Sequence, residues 1–178
     1  ALYSVWGGAN DIFYNLGALQ AGAITQADLQ NNVATAATQL VQQVGILQAA
    51  GARYVMVWDL PDIGRTPAGT ASGDAAGISA ITSLYNTTLL AGLDQLGGNV
   101  IRLDAAKLLN ELIADPAAFG IANVTLPACG ATPSLVCTGA NLVTPDAATT
   151  FLFADGVHPT TAGHMALAQY AESFIEGP

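Results

Sequence analysis

Late in the chain, Asp155-Gly156-Val157-His158-Pro159 sets a carboxylate three residues before an imidazole, across a glycine-containing turn. A general base needs such a partner. An acceptor on one ring nitrogen fixes the tautomer and stabilises the imidazolium formed when the other nitrogen takes a proton. Pro159 disfavours helical geometry at His158, so the ring is expected to project from a loop. On spacing alone, an aspartate capping a turn beside an ordinary loop histidine accounts for the pattern at least as well. Near the other end, Gly8-Ala9-Asn10-Asp11 follows an apolar run. An asparagine NH2 can stabilise a developing oxyanion, and a glycine before it lets the backbone approach a substrate closely. By itself this is also an ordinary turn leading into a helix. Asp155, His158 and His164 together have the residue types of a metal site, but the histidines lack the three- or four-residue spacing of helical ligand pairs.

These residues need a scaffold, and short β-rich runs alternating with longer helical ones predict an α/β fold with a parallel sheet. Leu2 to Trp6 is the first strand, ending in Gly7-Gly8. A helix is predicted from Gln26 to Ala50, with Thr25 as N-cap, Asp28 in the first turn and Gly51 closing it. Its Leu29, Val33, Ala36, Leu40, Val44 and Leu47 recur at helical spacing and define one packed face. Arg53 to Trp58 is a second strand, apolar almost throughout, as suits a strand covered on both faces. A small-residue loop is expected from Arg65 to Gly77, a helix from Ile78 to Leu96, a strand from Asn99 to Leu103 and a helix from Ala105 to Ala114. Phe119 to Thr149 reads as irregular, and a loop that long is usually functional or stapled. A last helix is expected from Thr161 to Ile175, with no repeat and no linker.

In an open parallel sheet, ligands bind beyond the carboxyl ends of the strands. Gly8 to Asp11, Asp59 and Asp62, Asp104, and Asp155 to Pro159 all fall at such ends. Taken together, Gly8-Ala9-Asn10-Asp11 resembles the Gly-x-Asn-Asp block of the GDSL/SGNH hydrolases. Asp155-Gly156-Val157-His158-Pro159-Thr160 resembles their Asp-x-x-His-Pro-Thr block. The order of the two blocks and the intervening βα units fit that family over essentially the whole chain. The resemblance is strongest to lipase-type GDSL esterases, including autotransporter passengers. It implies a three-layer α/β/α flavodoxin-like sheet and a serine ester hydrolase without a cofactor or metal. His158 would be the general base, Asp155 its orienting partner, Asn10 an oxyanion-hole donor and Gly8 the residue permitting close approach. The substrate would be a small-molecule or lipid ester.

The family's nucleophile stands in a Gly-Asp-Ser block, and this sequence has none. Ser4, Ser72, Ser79, Ser83, Ser134 and Ser173 all stand in other contexts. The expectation is therefore the carboxyl-terminal part of a single SGNH domain, residues 1–178, with the serine on an upstream segment. Leu2 to Trp6 would then be an apolar edge that pairs with that segment or with a second chain. Two alternatives stay open: an SGNH-like module that binds ligands without catalysis, and a metal-dependent hydrolase.

Composition narrows the field further. With 52% hydrophobic and 10% charged residues, a packed core is expected rather than disorder. Thirteen acidic residues against four basic ones give a net charge of −9, which disfavours nucleic acid and anionic membrane surfaces as partners. No apolar run approaches the roughly 18–20 residues of a membrane span. Cys129 and Cys137, inside a turn-rich stretch, suit a local disulfide in an oxidising compartment. With so few lysines, this points to a secreted, cell-surface or periplasmic protein, and the Ala/Gly-rich composition points to a bacterial source.

Overall fold

Strand β2 (Tyr54–Trp58) is the centre of a three-stranded parallel sheet, which explains its apolar sequence. In the computed structural model, which describes residues 1–175, β1 (Leu2–Val5) pairs with it from Leu2 opposite Tyr54. On its other side lies β3 (Val100–Leu103), with Val55 opposite Val100. With neighbours on both sides, Val55, Met56, Val57 and Trp58 are all buried. β1 is an edge, and its Leu2 and Tyr3 remain exposed.

The helices are α1 (Ala9–Gln20), α2 (Gln26–Ala49), α3 (Pro67–Ala71), α4 (Ala75–Leu96), α5 (Ala105–Ala114), α6 (Ala147–Thr150) and α7 (Thr161–Ser173). α2 starts as the sequence predicts. Thr25 accepts from the Asp28 amide while Asp28 accepts from the Thr25 amide, a reciprocal capping box. Of its predicted face, Leu29, Val33 and Val44 are fully covered.

The chain divides into two compact units, residues 1–61 with 77–105, and residues 62–76 with 106–178. The first holds the three-stranded sheet with α1, α2 and most of α4. The second is built on a parallel pair, β4 (Asn123–Pro127) and β5 (Phe151–Phe153), with Asn123 opposite Phe151. Its core is Leu108, Leu109 and Leu112 of α5 with Ile121, Leu152, Phe153 and Ala166.

Three stretches are more ordered than their sequence suggests. The stretch read as a loop over Arg65 to Gly77 contains α3. Asp62 and Thr66 each cap a short helical turn there, and Pro67 supplies the preset φ of a first helical residue. The irregular stretch from Phe119 to Thr149 contains β4, whose partner β5 lies more than twenty residues on, so no local pattern marks it. α1 carries no strong apolar periodicity; only Ile12 and Asn15 are buried on it.

Candidate active site

The Asp155–His158 loop leaves the end of β5 and returns at once. The Ala154 amide donates to the His158 carbonyl at 2.7 Å, and the Thr160 amide donates to Leu152 at 3.0 Å. Thr160 then caps α7 by accepting from the Gly163 amide. The loop is thus a tight hairpin between a strand and a helix, and His158 projects from it with its side chain 61% exposed.

Within the loop, Asp155 is the hub. Its Oδ1 accepts from the amides of Val157 at 3.0 Å and His158 at 2.8 Å. Its Oδ2 accepts from the Ser134 amide at 2.8 Å. The imidazole Nδ1 of His158 lies 3.0 and 2.9 Å from the two oxygens. Burial alone would push the carboxyl up. The donors from His158, Val157 and Ser134 outweigh it and hold Asp155 well below the usual carboxylate range. An ionised carboxylate can only accept, so in this contact His158 Nδ1 is the donor, and whenever the ring is neutral its lone pair is at Nε2. That is the protonation state a general base needs.

In the other unit, β1 ends at the Gly7–Gly8 turn and α1 begins. Gly8 has φ +110°, and a Cβ built there would fall 2.2 Å from the Tyr85 ring. The conformation and the ring both require glycine. Tyr85 is fully buried and donates its hydroxyl to the Gly7 carbonyl at 2.9 Å. Burial, and then the negative charge of Asp11, push that hydroxyl up, so it remains a donor. Asn10, in the first turn of α1, is exposed. Behind it, Asn15 donates to the Asp11 carbonyl and accepts from Asn32, tying the start of α1 to α2. A cleft of about 460 Å³ borders the turn, lined by Gly7, Gly8, Asp11, Leu40, Gln43 and Tyr85.

Not every polar strand end is poised for chemistry. Asp59 is buried, and its Oδ1 accepts from the Ala105 amide. Asp62 accepts from the Gly64 amide, so both serve the backbone. Trp6 and Trp58 stack with centroids 5.0 Å apart, and Phe153 belongs to the core of the second unit. His164 is exposed on α7, and among the described residues no cluster of three His, Cys, Asp or Glu could hold a metal ion. Cys129 and Cys137 form a disulfide. Among the described residues no helix is long and apolar enough to cross a membrane.

The structure brings Asp155 and His158 into contact in one unit, and sets Gly8 and Asn10 at one turn of the other. Two supporting residues have no spacing signal in the sequence. Ser134 reaches Asp155 from within the disulfide loop, and Tyr85 reaches Gly7 from the middle of α4.

The described residues thus carry an Asp–His pair after one parallel strand and a glycine-asparagine turn after another. The comparison with known families is specific: the model of the GDSL-like lipases and acylhydrolases matches residues 1–171, and the chain belongs to that family. It is 38% identical to esterase EstA of Pseudomonas aeruginosa, over all of this chain and 27% of that protein. It is 37% identical to an uncharacterised Pseudomonas putida protein from the trpE–trpG intergenic region, over all of this chain and 29% of that protein. Lipase 1 of Photorhabdus luminescens is 26% identical, over 99% of this chain and 36% of its own length. The chain therefore spans about a third or less of these relatives.

Proposed function

We propose that this chain is the base-bearing part of a serine ester hydrolase, with His158 as general base, Asp155 as its orienting partner and Asn10 as an oxyanion donor. The observation that carries the reading is the Asp155 carboxylate, held ionised by the amides of His158, Val157 and Ser134 and by the Ser134 side chain, with both oxygens facing His158 Nδ1. The nucleophile is a serine on an upstream segment, since none of the six serines here stands in a Gly-Asp-Ser block. The seryl oxygen attacks the ester carbonyl and its proton passes to His158 Nε2. The carbonyl electrons collect on an oxyanion that the Asn10 NH2 stabilises, and the imidazolium then protonates the departing alkoxide. Water repeats the sequence on the acyl-enzyme. Gly8 opens the backbone at the oxyanion turn. The edge strand β1 (Leu2–Val5), with Trp6 after it, is the surface the upstream segment pairs with. The disulfide suits an exported protein.

The test is fluorophosphonate labelling of the full-length protein, because only an activated serine reacts. One upstream serine is expected to label, and His158→Ala is expected to lower labelling and ester turnover at least about a thousandfold. The 178-residue chain alone should hydrolyse p-nitrophenyl esters near background. Labelling of a serine within this chain would overturn the placement of the nucleophile. A full-length protein that binds esters but never labels would make it a ligand-binding module.

A further inference from the structure

The Asp155 carboxylate is fixed at two points, and the second comes from outside its own loop. Val157 and His158 both donate to Oδ1, so local backbone pins only one oxygen. A carboxylate held at one atom can still swing its plane, and with it the direction in which the imidazole is held. Oδ2 is set by the Ser134 amide at 2.8 Å, twenty-one residues away in sequence.

The position of Ser134 is itself heavily constrained. The Cys129 amide donates to the Ala154 carbonyl at 2.9 Å, so this cysteine is anchored to the residue just before Asp155. Cys129 is buried and bonded to Cys137. Between them, Ser134 to Val136 form one 3-10 turn, in which the Cys137 amide donates to the Ser134 carbonyl. The staple closes this turn over the strand end and delivers the Ser134 amide to Oδ2. Cutting it would release a turn that one short helical loop cannot hold in place alone.

We propose that Ser134 is a positioning residue for the Asp155–His158 pair, acting through its backbone amide, and that the Cys129–Cys137 disulfide holds that amide in place. The inference rests on the reading of Asp155 and His158 given above. It makes the orientation of the base depend on the oxidation state of a disulfide outside the pair.

The backbone permits a clean test. Ser134 opens its 3-10 turn, where no intrahelical donor is lost, and Pro133 before it has φ −58° and ψ 142°. Proline is tolerated at such a first position, and that ψ suits a residue preceding proline. Ser134 reaches Asp155 through its amide and, more weakly, its side chain. Ser134→Ala removes only the hydroxyl, Ser134→Pro removes both with the turn intact, and the difference between the two variants isolates the amide. The tautomer of neutral His158 is read by long-range proton–nitrogen NMR in the full-length protein, with the His158→Ala variant identifying its signals. The expected result is a dominant Nδ1–H form in wild type and Ser134→Ala. Ser134→Pro and the paired Cys129→Ser/Cys137→Ser variant should each shift His158 toward Nε2–H, and their combination should add nothing further. In the full-length enzyme, Ser134→Pro should lower kcat about tenfold relative to Ser134→Ala with KM unchanged, the equivalent of one hydrogen bond to a charged group. A wild-type His158 without Nδ1–H preference would overturn the Asp155–His158 reading itself. A preference that survives both Ser134→Pro and loss of the disulfide would overturn the role of Ser134 alone.

Discussion

Around Gly8 the backbone is held by packing; around Asp155 it is held by hydrogen bonds. The Gly7–Gly8 turn lies against the buried ring of Tyr85, with no room for a single added carbon. The Asp155 loop has no such floor: its Gly156 would place a Cβ 3.2 Å from the Ala68 methyl, a tight contact but not an impossible one. What fixes it is a set of amides converging on one carboxylate, with the Gly156 carbonyl accepting from the Ala68 amide at 2.9 Å. Under the proposed function the difference has a chemical sense. An oxyanion donor has to stand still and stay neutral, which packing achieves at any pH. A base partner has to stay ionised, which only donors can ensure. The first device should fail abruptly on steric change, the second gradually with protonation and redox state.

The sharpest way to break this contrast is Gly8→Ala. The added Cβ meets a φ of +110° and a ring carbon at 2.2 Å, belonging to a side chain with no exposed surface to retreat into. Left-handed backbone and overpacking together should cost about 4 kcal/mol. Equilibrium urea unfolding is the measurement. Gly156→Ala, with only the Ala68 contact to relieve, should cost less than about half as much. Equal losses at the two glycines would erase the distinction between a packed turn and a hydrogen-bonded one.

How much of this was readable in advance follows the same divide. Asp155, His158 and Pro159 sit within five residues, so their local geometry is written in their spacing. The parallel sheet was legible too, because an apolar strand such as Tyr54–Trp58 can only be buried on both faces. Contacts made across the fold left no trace. Tyr85 is seventy-eight residues from Gly7, and its place on α4 looks like any core aromatic of an apolar helix. Ser134 reads as a loop serine until the disulfide and the Ala154 carbonyl fix where its amide points. β4 was hidden because its Pro127 and Asn123 are poor strand formers, and pairing with β5 overrides that preference. α3 was hidden by its small residues, since its caps decide it more than its interior.

A finer probe of the packed turn separates its two components. Tyr85→Phe keeps the ring beneath Gly8 and removes the donor to the Gly7 carbonyl. The loss should be about 1.5 kcal/mol, the cost of one buried hydrogen bond. It should be independent of pH across the acid range, because the Tyr85 hydroxyl is pushed up, away from any acid titration. A loss as large as that of Gly8→Ala would mean that the hydrogen bond, not the ring, holds the turn.

The smallest effect tests the hydrogen-bonded half by pH. Asp155 has its folded pKa depressed, so its contribution to stability is fully present above the unfolded carboxylate value of about 3.9. It is lost progressively as pH falls below that value, because the unfolded chain takes up the proton first. Between pH 5 and pH 3 the folded carboxylate is still ionised, so linkage sets the loss at about 1 kcal/mol. Other carboxylates titrate over the same range, and Asp155→Asn serves as the reference. The stability gap between wild type and Asp155→Asn should narrow by that amount from pH 5 to pH 3. The gap between wild type and Tyr85→Phe, measured on the same samples, should stay constant. If both gaps moved together, the Asp155 amides would not be what keeps the carboxylate charged, and the two halves would differ only in their residues.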